Sequence, residues 1–358
     1  MPNEVNPNMV ILARESKGLT QSQLANKLGV TQAIVSRIEA GLMPVSEITL
    51  QKIVECLQYP PNFFYEQADI YPLGIHFYRK AKGIPQKILT EIKALSNIDR
   101  IRMENLVRSI EFDVRDIPNC EIDEIKYRSP RDVALAVRYA WSIPSGRIEN
   151  MTSLLEDAGI IVVFIDFNTK QYDAHSVPIN NGKYIVFVNS NMPGDRIRFS
   201  LAHELGHMVM HETPHDKIED EANEFAGEFL MPSDIIYHQL TSLSLARLVD
   251  LKKVWKVSMQ AILKRAGDLN RITLRQSQYL WMQMGKLGYR KNEPITLEKE
   301  EPSLIKEMME TYLKYLGYTE DELKHLLYLD DDEYERFGPT KTNSQRMISN
   351  VHQLYPKK

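Results

Sequence analysis

The twelve residues SLAHELGHMVMH at 200–211 constrain this chain more than any other stretch of it. His203 and His207 stand four apart, so in a helix they share one face and both imidazoles can reach a single metal ion. Glu204 sits beside them, where a carboxylate can take the proton of an attacking water. Ile197, Leu201, Leu205 and Met208 give the same helix an apolar stripe. Such a stripe buries the helix and turns the metal-binding face into a cleft. Five of the nine histidines (203, 207, 211, 215 and 238) fall within 36 residues here.

Two histidines need a further donor. An extension with Gly at 210 and His at 213 would supply it from the same segment, but Met210 and Thr213 stand there. His211 continues the helical face by one turn. Three successive turns of a straight helix rarely converge on one ion, so His211 is expected to line the cleft or support a ligand. The remaining source is a carboxylate from the next helix. Pro214 is expected to end the first helix at about Glu212, because a residue before proline avoids the α region. Helix should resume near Lys217 with KIEDEANEFAGEFLMP, forming an antiparallel pair. On this second arm Glu219 is the preferred third ligand and Glu221 its rival. Asn223, one turn later, is placed to hold a ligand imidazole from behind. Asp216 and Glu219 also fit a plain capping pair. His175, His211, His215, Tyr237 and His238 are candidates for stabilising an oxyanion.

A length of 358 residues points to two or three domains, and 43% apolar with 26% charged residues is the mix of a soluble globular chain. No apolar run approaches the roughly 18 residues a membrane span needs. The first residues lack a secretory signal's basic and apolar regions, and Cys56 and Cys120 cannot build a disulfide framework. A cytoplasmic protein without membrane contact is expected. The net charge of −4 excludes a global polycation, so any nucleic-acid binding must come from a local patch. Residues 1–65 are neutral, and the seven basic residues between Arg79 and Arg102 read as a solvated helical face.

The first 66 residues read as short helices separated by turns. Val10, Ile11 and Ala13 suit a first helix that Gly18 stops. Thr20 with Gln23 forms a capping box for a second, which Gly29 ends in the left-handed conformation. Thr31 caps a third, TQAIVSRIEA, closed by Gly41, and ITLQKIVECLQ is a fourth, ended by Pro60-Pro61. Two helices joined at Gly29 match the helix-turn-helix arrangement. Residues 67–125 read as a helical connector with Ile84, Ile88, Leu89, Ile92 and Leu95 at helical spacing and a boundary at 116–119. It is not Gly/Ser-rich, so the two halves should be coupled. An α+β region follows at 126–269. RDVALAVRYAW and ENMTSLLEDAG are helical and GIIVVFID is a buried strand. A turn at Asn180-Asn181-Gly182 precedes the strand KYIVFVN, whose residues 184–188 could pair with an extended substrate. Residues 270–358 are mostly helical and name no chemistry.

Two resemblances follow from these motifs. LTQSQLANKLGVTQAIVSRIEAGLMPVSEITLQKIVECL resembles the Xre/Cro-like helix-turn-helix family. This resemblance implies a five-helix domain that binds a double-stranded DNA operator as a homodimer. It places Thr31, Gln32, Ala33, Ser36 and Arg37 at the groove and Gln21 at the phosphate backbone. The residue types fit, since Gln pairs with adenine, Arg with guanine or phosphate, and Ala33 can touch a thymine methyl. RIRFSLAHELGHMVMH followed by IEDEANEFAGEFLMP resembles the ImmA/IrrE family of zinc metallopeptidases. That implies a zincin-like, gluzincin-type domain with a small sheet, Zn2+ on His203, His207 and Glu219, and Glu204 as the catalytic base. The whole chain is thus expected to be α+β and mostly helical. It should act in a stress response as a regulator whose signal-gated endopeptidase cleaves a repressor or toxin-like partner. The alternative is a non-catalytic repressor or antitoxin-like protein whose zincin domain senses a ligand or grips a partner.

Overall fold

In the computed structural model, many of the helices start at a residue whose side chain accepts a backbone N–H of the first turn. The structure describes residues 4–72, 83–112, 115, 117–120, 122, 127–179, 183–213, 215–338 and 351–353. The turn at 180–182, Asp116, and the basic residues Arg79, Lys80 and Lys82 lie outside them.

Four α-helices, α1 (Pro7–Ser16), α2 (Gln21–Leu28), α3 (Gln32–Glu39) and α4 (Glu47–Leu57), open the chain with a short 3-10 helix at Pro61–Tyr65. The fifth helix of the expected N-terminal unit is therefore of the 3-10 type. Thr20 and Gln23 form the reciprocal capping box at the start of α2, and Gly29 closes it at φ +69, a conformation a side chain resists. Met9, Leu12, Leu24, Val35, Ile38 and Phe63 make the small core between these helices.

The long helix α5 (Gln86–Val107) joins two cores. Ala94, Ile98 and Ile101 pack into the N-terminal core, whereas Ile92, Met103 and Leu106 belong to a second cluster against the sheet. Its Arg102 is 3% exposed. The guanidinium donates to the carbonyl oxygens of Leu327 and Tyr328 at 3.1 and 3.0 Å and pairs with Asp99 and Glu333. Removing both acids would leave this buried charge uncompensated. A strand β1 (Ile110–Phe112) follows, then α6 (Pro130–Ala140) and α7 (Met151–Asp157).

The central sheet holds β2 (Ile161–Ile165), β3 (Ala174–Ile179) and β4 (Lys183–Asn189) in the order β2-β4-β3. Strand β4 lies in the middle, parallel to β2 and antiparallel to β3. Both of its edges are used, so residues 184–188 have no edge to offer a substrate. Among the described residues the open edge beside the site belongs to β3. Both sheet faces are covered, which is why β2 reads as a continuous apolar run. Val162, Val186 and Val188 face one core, and Ile161, Val163, Ile185 and Phe187 face the other.

Across the first face run α8 (Gly194–Met210) and α9 (Ile218–Leu230), followed by α10 (Ser233–Ile236), α11 (Leu245–Trp255), α12 (Met259–Asp268) and α13 (Leu274–Lys286). Helix α8 ends at Met210 rather than near Glu212. His211 leaves the helix at φ −120, ψ 85, while its ring is held by His207 and Glu221. Against the second face pack α14 (Leu304–Lys314), α15 (Glu320–Leu327) and α16 (Asp331–Phe337), and β5 (Val351–Gln353) pairs antiparallel with β1. Tyr328 enters the N-terminal core and its hydroxyl bonds the carboxylate of Glu66. Asn62 donates to the carbonyl of His325 at 2.7 Å. No described helix is long and apolar enough to cross a membrane.

Glu156 ties α7 to α14, accepting the backbone N–H groups of Ser303 and Leu304 at 2.9 and 3.0 Å. Burial pushes its pKa up from the ordinary carboxylate value to about 7. Between the unfolded value near 4.5 and about 7 the folded state binds more protons than the unfolded one, so this group's contribution falls as pH rises through that window. Glu156→Gln, which cannot ionise, is expected to flatten that part of a profile of unfolding free energy against pH.

Candidate metal centre and nucleic-acid interface

The centre forms where α8 and α9 pack against each other. A Cβ on Gly206 would stand 3.0–3.3 Å from Cδ1, Cγ and Cβ of Phe225, closer than ordinary contact, so a larger residue there would press on that side chain. Across this contact Glu219 reaches both histidines. The Nε2 atoms of His203 and His207 are 3.0 Å apart. Each lies 3.4 Å from an oxygen of Glu219. His203 and His207 are 7% and 4% exposed. The three donors are mutually within 4.8 Å. For tetrahedral ligands at 2.0–2.1 Å from zinc, donor atoms stand roughly 3.3 Å apart, which is the separation seen here. Two nitrogen lone pairs at 3.0 Å repel unless a proton or a cation lies between them. The donor set therefore fits a zinc ion.

Glu204 is 2% exposed and is not one of the three donors. Its Oε2 accepts a hydrogen bond from Ser176 on β3 at 2.9 Å. Asn223 Oδ1 is 3.1 Å from Nδ1 of His203. His211 meets Nδ1 of His207 at 2.9 Å. Glu221, the rival ligand, turns away from this trio: its Oε2 is 3.1 Å from His211 and 3.3 Å from His215.

Other candidates lie elsewhere. His175 is on the opposite sheet face from Ser176, buried among the rings of Phe167, Tyr172 and Phe187. Tyr237 carries the Arg271 guanidinium 4.1 Å above its ring and packs edge-on against His238. Neither Tyr237 nor His238 lines the pocket at the centre. Tyr172 does line it, with His203, Glu204 and Glu219, in a volume of about 280 Å³. Burial, with the charges of Glu204 and Glu219 nearby, pushes the Tyr172 phenol well above its ordinary pKa, so it stays a proton donor. Tyr172, Ser176 and Arg196, which pairs with Asp173 at 2.8 Å, were not legible as site residues because no motif spacing marks them. The only sequence signal is their position beside β3 and at the start of α8.

The pocket opens into a larger cleft of about 620 Å³, with Asp173, Arg196, Phe199, Ser200 and Asn223 lining both. Its far wall is built by Ala261, Lys264, Trp281, Arg290 and Ile295. Arg290 and Ile295, beyond α13, belong to the region that named no chemistry in sequence.

On the N-terminal unit Thr31, Gln32, Ala33 and Arg37 are exposed on α3, and Ser36 and Gln21 are half-buried. Thr31 occupies the N-cap position without a capping side-chain bond. Gln32 donates to Gln21 at 2.8 Å, and Gln21 donates to Glu39 at 2.8 Å. Glu39 is itself held by the buried Arg14 guanidinium. Of the predicted DNA-facing side chains, Gln32 and Gln21 are thus fixed to one another.

Residues 10–64 match the helix-turn-helix family model, and residues 155–266 match the IrrE N-terminal-like domain, the Peptidase M78 family. The chain joins a helix-turn-helix domain to an IrrE-like peptidase domain. No curated protein matches it. The IrrE-like match spans the whole of the sheet, α8 and α9, and so every residue from Tyr172 to Asn223. His203→Ala or His207→Ala is expected to abolish divalent-metal binding by the IrrE-like domain, measured as metal per chain after dialysis. Glu204→Gln should retain the metal. Glu219→Ala should lose it, and loss in Glu221→Ala with full retention in Glu219→Ala would reverse that assignment.

Proposed function

We propose that this chain is a DNA-binding transcriptional regulator carrying a zinc-dependent endopeptidase that cleaves a repressor or partner protein. The observation that carries this reading is the convergence of His203, His207 and Glu219 beside Glu204 in a pocket that opens into a cleft. Three protein donors leave room for a water, the arrangement of a catalytic rather than a structural zinc. Bound zinc supplies a Lewis acid and draws the pKa of the attacking water down towards about 7.

The protein's own groups account for the remaining steps. Ser176 holds one oxygen of Glu204, leaving the carboxylate aimed to accept the water proton. The water oxygen bonds to the scissile carbonyl carbon as the C=O electron pair moves onto the oxygen. Glu204 then delivers its proton to the amide nitrogen as the C–N bond breaks. The open edge of β3 is suited to pair with an extended substrate backbone, which favours loops and unfolded segments over packed structure. The cleft towards Trp281 and Arg290 would receive substrate side chains, and its basic and aromatic lining suits a segment with apolar and acidic residues.

Because the N-terminal unit is packed against α5 and Tyr328, operator binding and cleavage are read as functions of one coupled molecule. Its setting is the cytoplasm, where Cys56 and Cys120 remain free thiols. Arg37→Ala and Gln32→Ala are expected to weaken specific operator binding by about 1–3 kcal/mol, with little effect on non-specific DNA. Gel-shift titration at several salt concentrations measures this. For the peptidase, Glu204→Gln should bind operator normally yet fail to relieve repression of a reporter after the inducing stress. Wild type should relieve it with a new proteolytic fragment visible on immunoblots. Equal relief in both strains without a fragment would replace this reading with a non-catalytic sensor.

A further inference from the structure

We infer that His211 and Glu221 position His207 for the metal through a hydrogen-bonded chain, and are not ligands of a second ion. This inference rests on the zinc centre proposed above. His207 turns Nε2 towards His203 and Glu219. Its Nδ1 stands 2.9 Å from Nδ1 of His211. Nε2 of His211 stands 3.1 Å from Oε2 of Glu221.

One placement of hydrogens satisfies the whole chain. A carboxylate only accepts, so Nε2 of His211 carries the hydrogen and donates to Glu221. A neutral ring then has a bare Nδ1, which accepts from Nδ1–H of His207. That in turn leaves Nε2 of His207 as a lone pair facing the centre, the form in which an imidazole binds metal. The His211 side chain is 1% exposed, so bulk water does not readily take over its role. His203 reaches the same state more simply, through Asn223 Oδ1 at 3.1 Å. The two ligands therefore differ in backing, a neutral amide behind His203 and a carboxylate-backed imidazole behind His207. Backing by a carboxylate makes a ligand ring more basic.

His211, His215 and Glu221 also bring three donor atoms within 4.8 Å of one another, which raises the competing possibility of a second metal. With Nε2 of His211 on an ion, its Nδ1 would carry the hydrogen instead. It would then face Nδ1–H of His207 at 2.9 Å, two donors with no acceptor between them. The chain and the second site exclude each other, and only the chain satisfies both rings. His215, with a side chain 45% exposed and 3.3 Å from the same Glu221 oxygen, is an outer neighbour of the chain.

The test uses the full-length protein and zinc itself. Zinc affinity would be measured by competition with a chromophoric chelator in wild type, His211→Phe and Glu221→Gln. His211→Phe should weaken zinc by about 10–100-fold, and Glu221→Gln by less, since an amide oxygen still accepts. Thermal unfolding of the metal-free forms should change little in Glu221→Gln, which separates positioning from folding. Long-range 1H–15N spectra of the wild-type zinc form need no variant. They should show hydrogen on Nδ1 of His207 and Nε2 of His211, and the His207 signals should shift in Glu221→Gln. Wild-type zinc affinity in His211→Phe, the opposite tautomer at His211, or a second zinc equivalent removed by His215→Ala would each overturn the inference. If wild type binds no zinc, the peptidase reading fails with it. If one zinc is lost in His203→Ala but held at full affinity in both His211→Phe and Glu221→Gln, only the positioning chain fails.

Discussion

The contact between Gly206 and Phe225 sets the distance on which the rest of the site depends. Helices usually pack 8–10 Å apart, at a spacing chosen by the side chains between them. At this crossing the α8 residue has no side chain, and the Phe225 ring comes within 3.0 Å of where a Cβ would be. The axes come close enough for a single carboxylate on α9 to touch two imidazoles on α8. A wider spacing would leave Glu219 short of one histidine or both, and two donors hold a divalent ion weakly. The middle of the His-Glu-Leu-Gly-His segment is therefore packing chemistry, while its ends are metal chemistry.

The scaffold around this contact explains how a small pocket becomes a cleft. Strand β4 is sealed in mid-sheet, so β3 presents the free edge and Ser176 on it reaches Glu204. The segment after α13 then wraps back over the start of α8. A Cβ on Gly194 would meet the carbonyl oxygens of Leu297 and Glu298, so glycine is required where that segment crosses. The buried Lys252 is held by Asp195 and Glu293, and Arg198 by Glu300, which fastens the same crossing with ion pairs. From there the chain continues into α14–α16, which pack on the second sheet face and place Tyr328 in the N-terminal core. The C-terminal region is thus in contact with both the cleft wall and the DNA-binding unit.

Much of this was legible in the sequence, for identifiable reasons. The helix-turn-helix unit is built from local signals such as the Thr20–Gln23 box and Gly29, and local signals survive without knowledge of tertiary structure. His203, Glu204 and His207 share one helix, so spacing alone put the two histidines on one face with the acid beside them. Glu219 required a turn geometry, and the choice over Glu221 followed only from a preference. The structure uses both acids, one at the trio and one behind His211. Tyr172 and the true sheet edge were hidden because each depends on strand order, which residue periodicity does not encode. The helix end was misplaced by two residues because the turn was attributed to Pro214 alone. His211 leaves the helix earlier, with its ring held between His207 and Glu221. Tyr237 and His238 were drawn in by nearness in sequence to the histidine cluster, and lie outside its pocket.

One zinc ion is proposed to sit between α8 and α9. Crystals of the full-length chain grown with zinc, with diffraction recorded on both sides of the zinc absorption edge, test it most directly. A zinc held there gives a single anomalous peak within bonding distance of Nε2 of His203, Nε2 of His207 and the Glu219 carboxylate. A peak between His211, His215 and Glu221 in its place, or no peak at the first position, would contradict it.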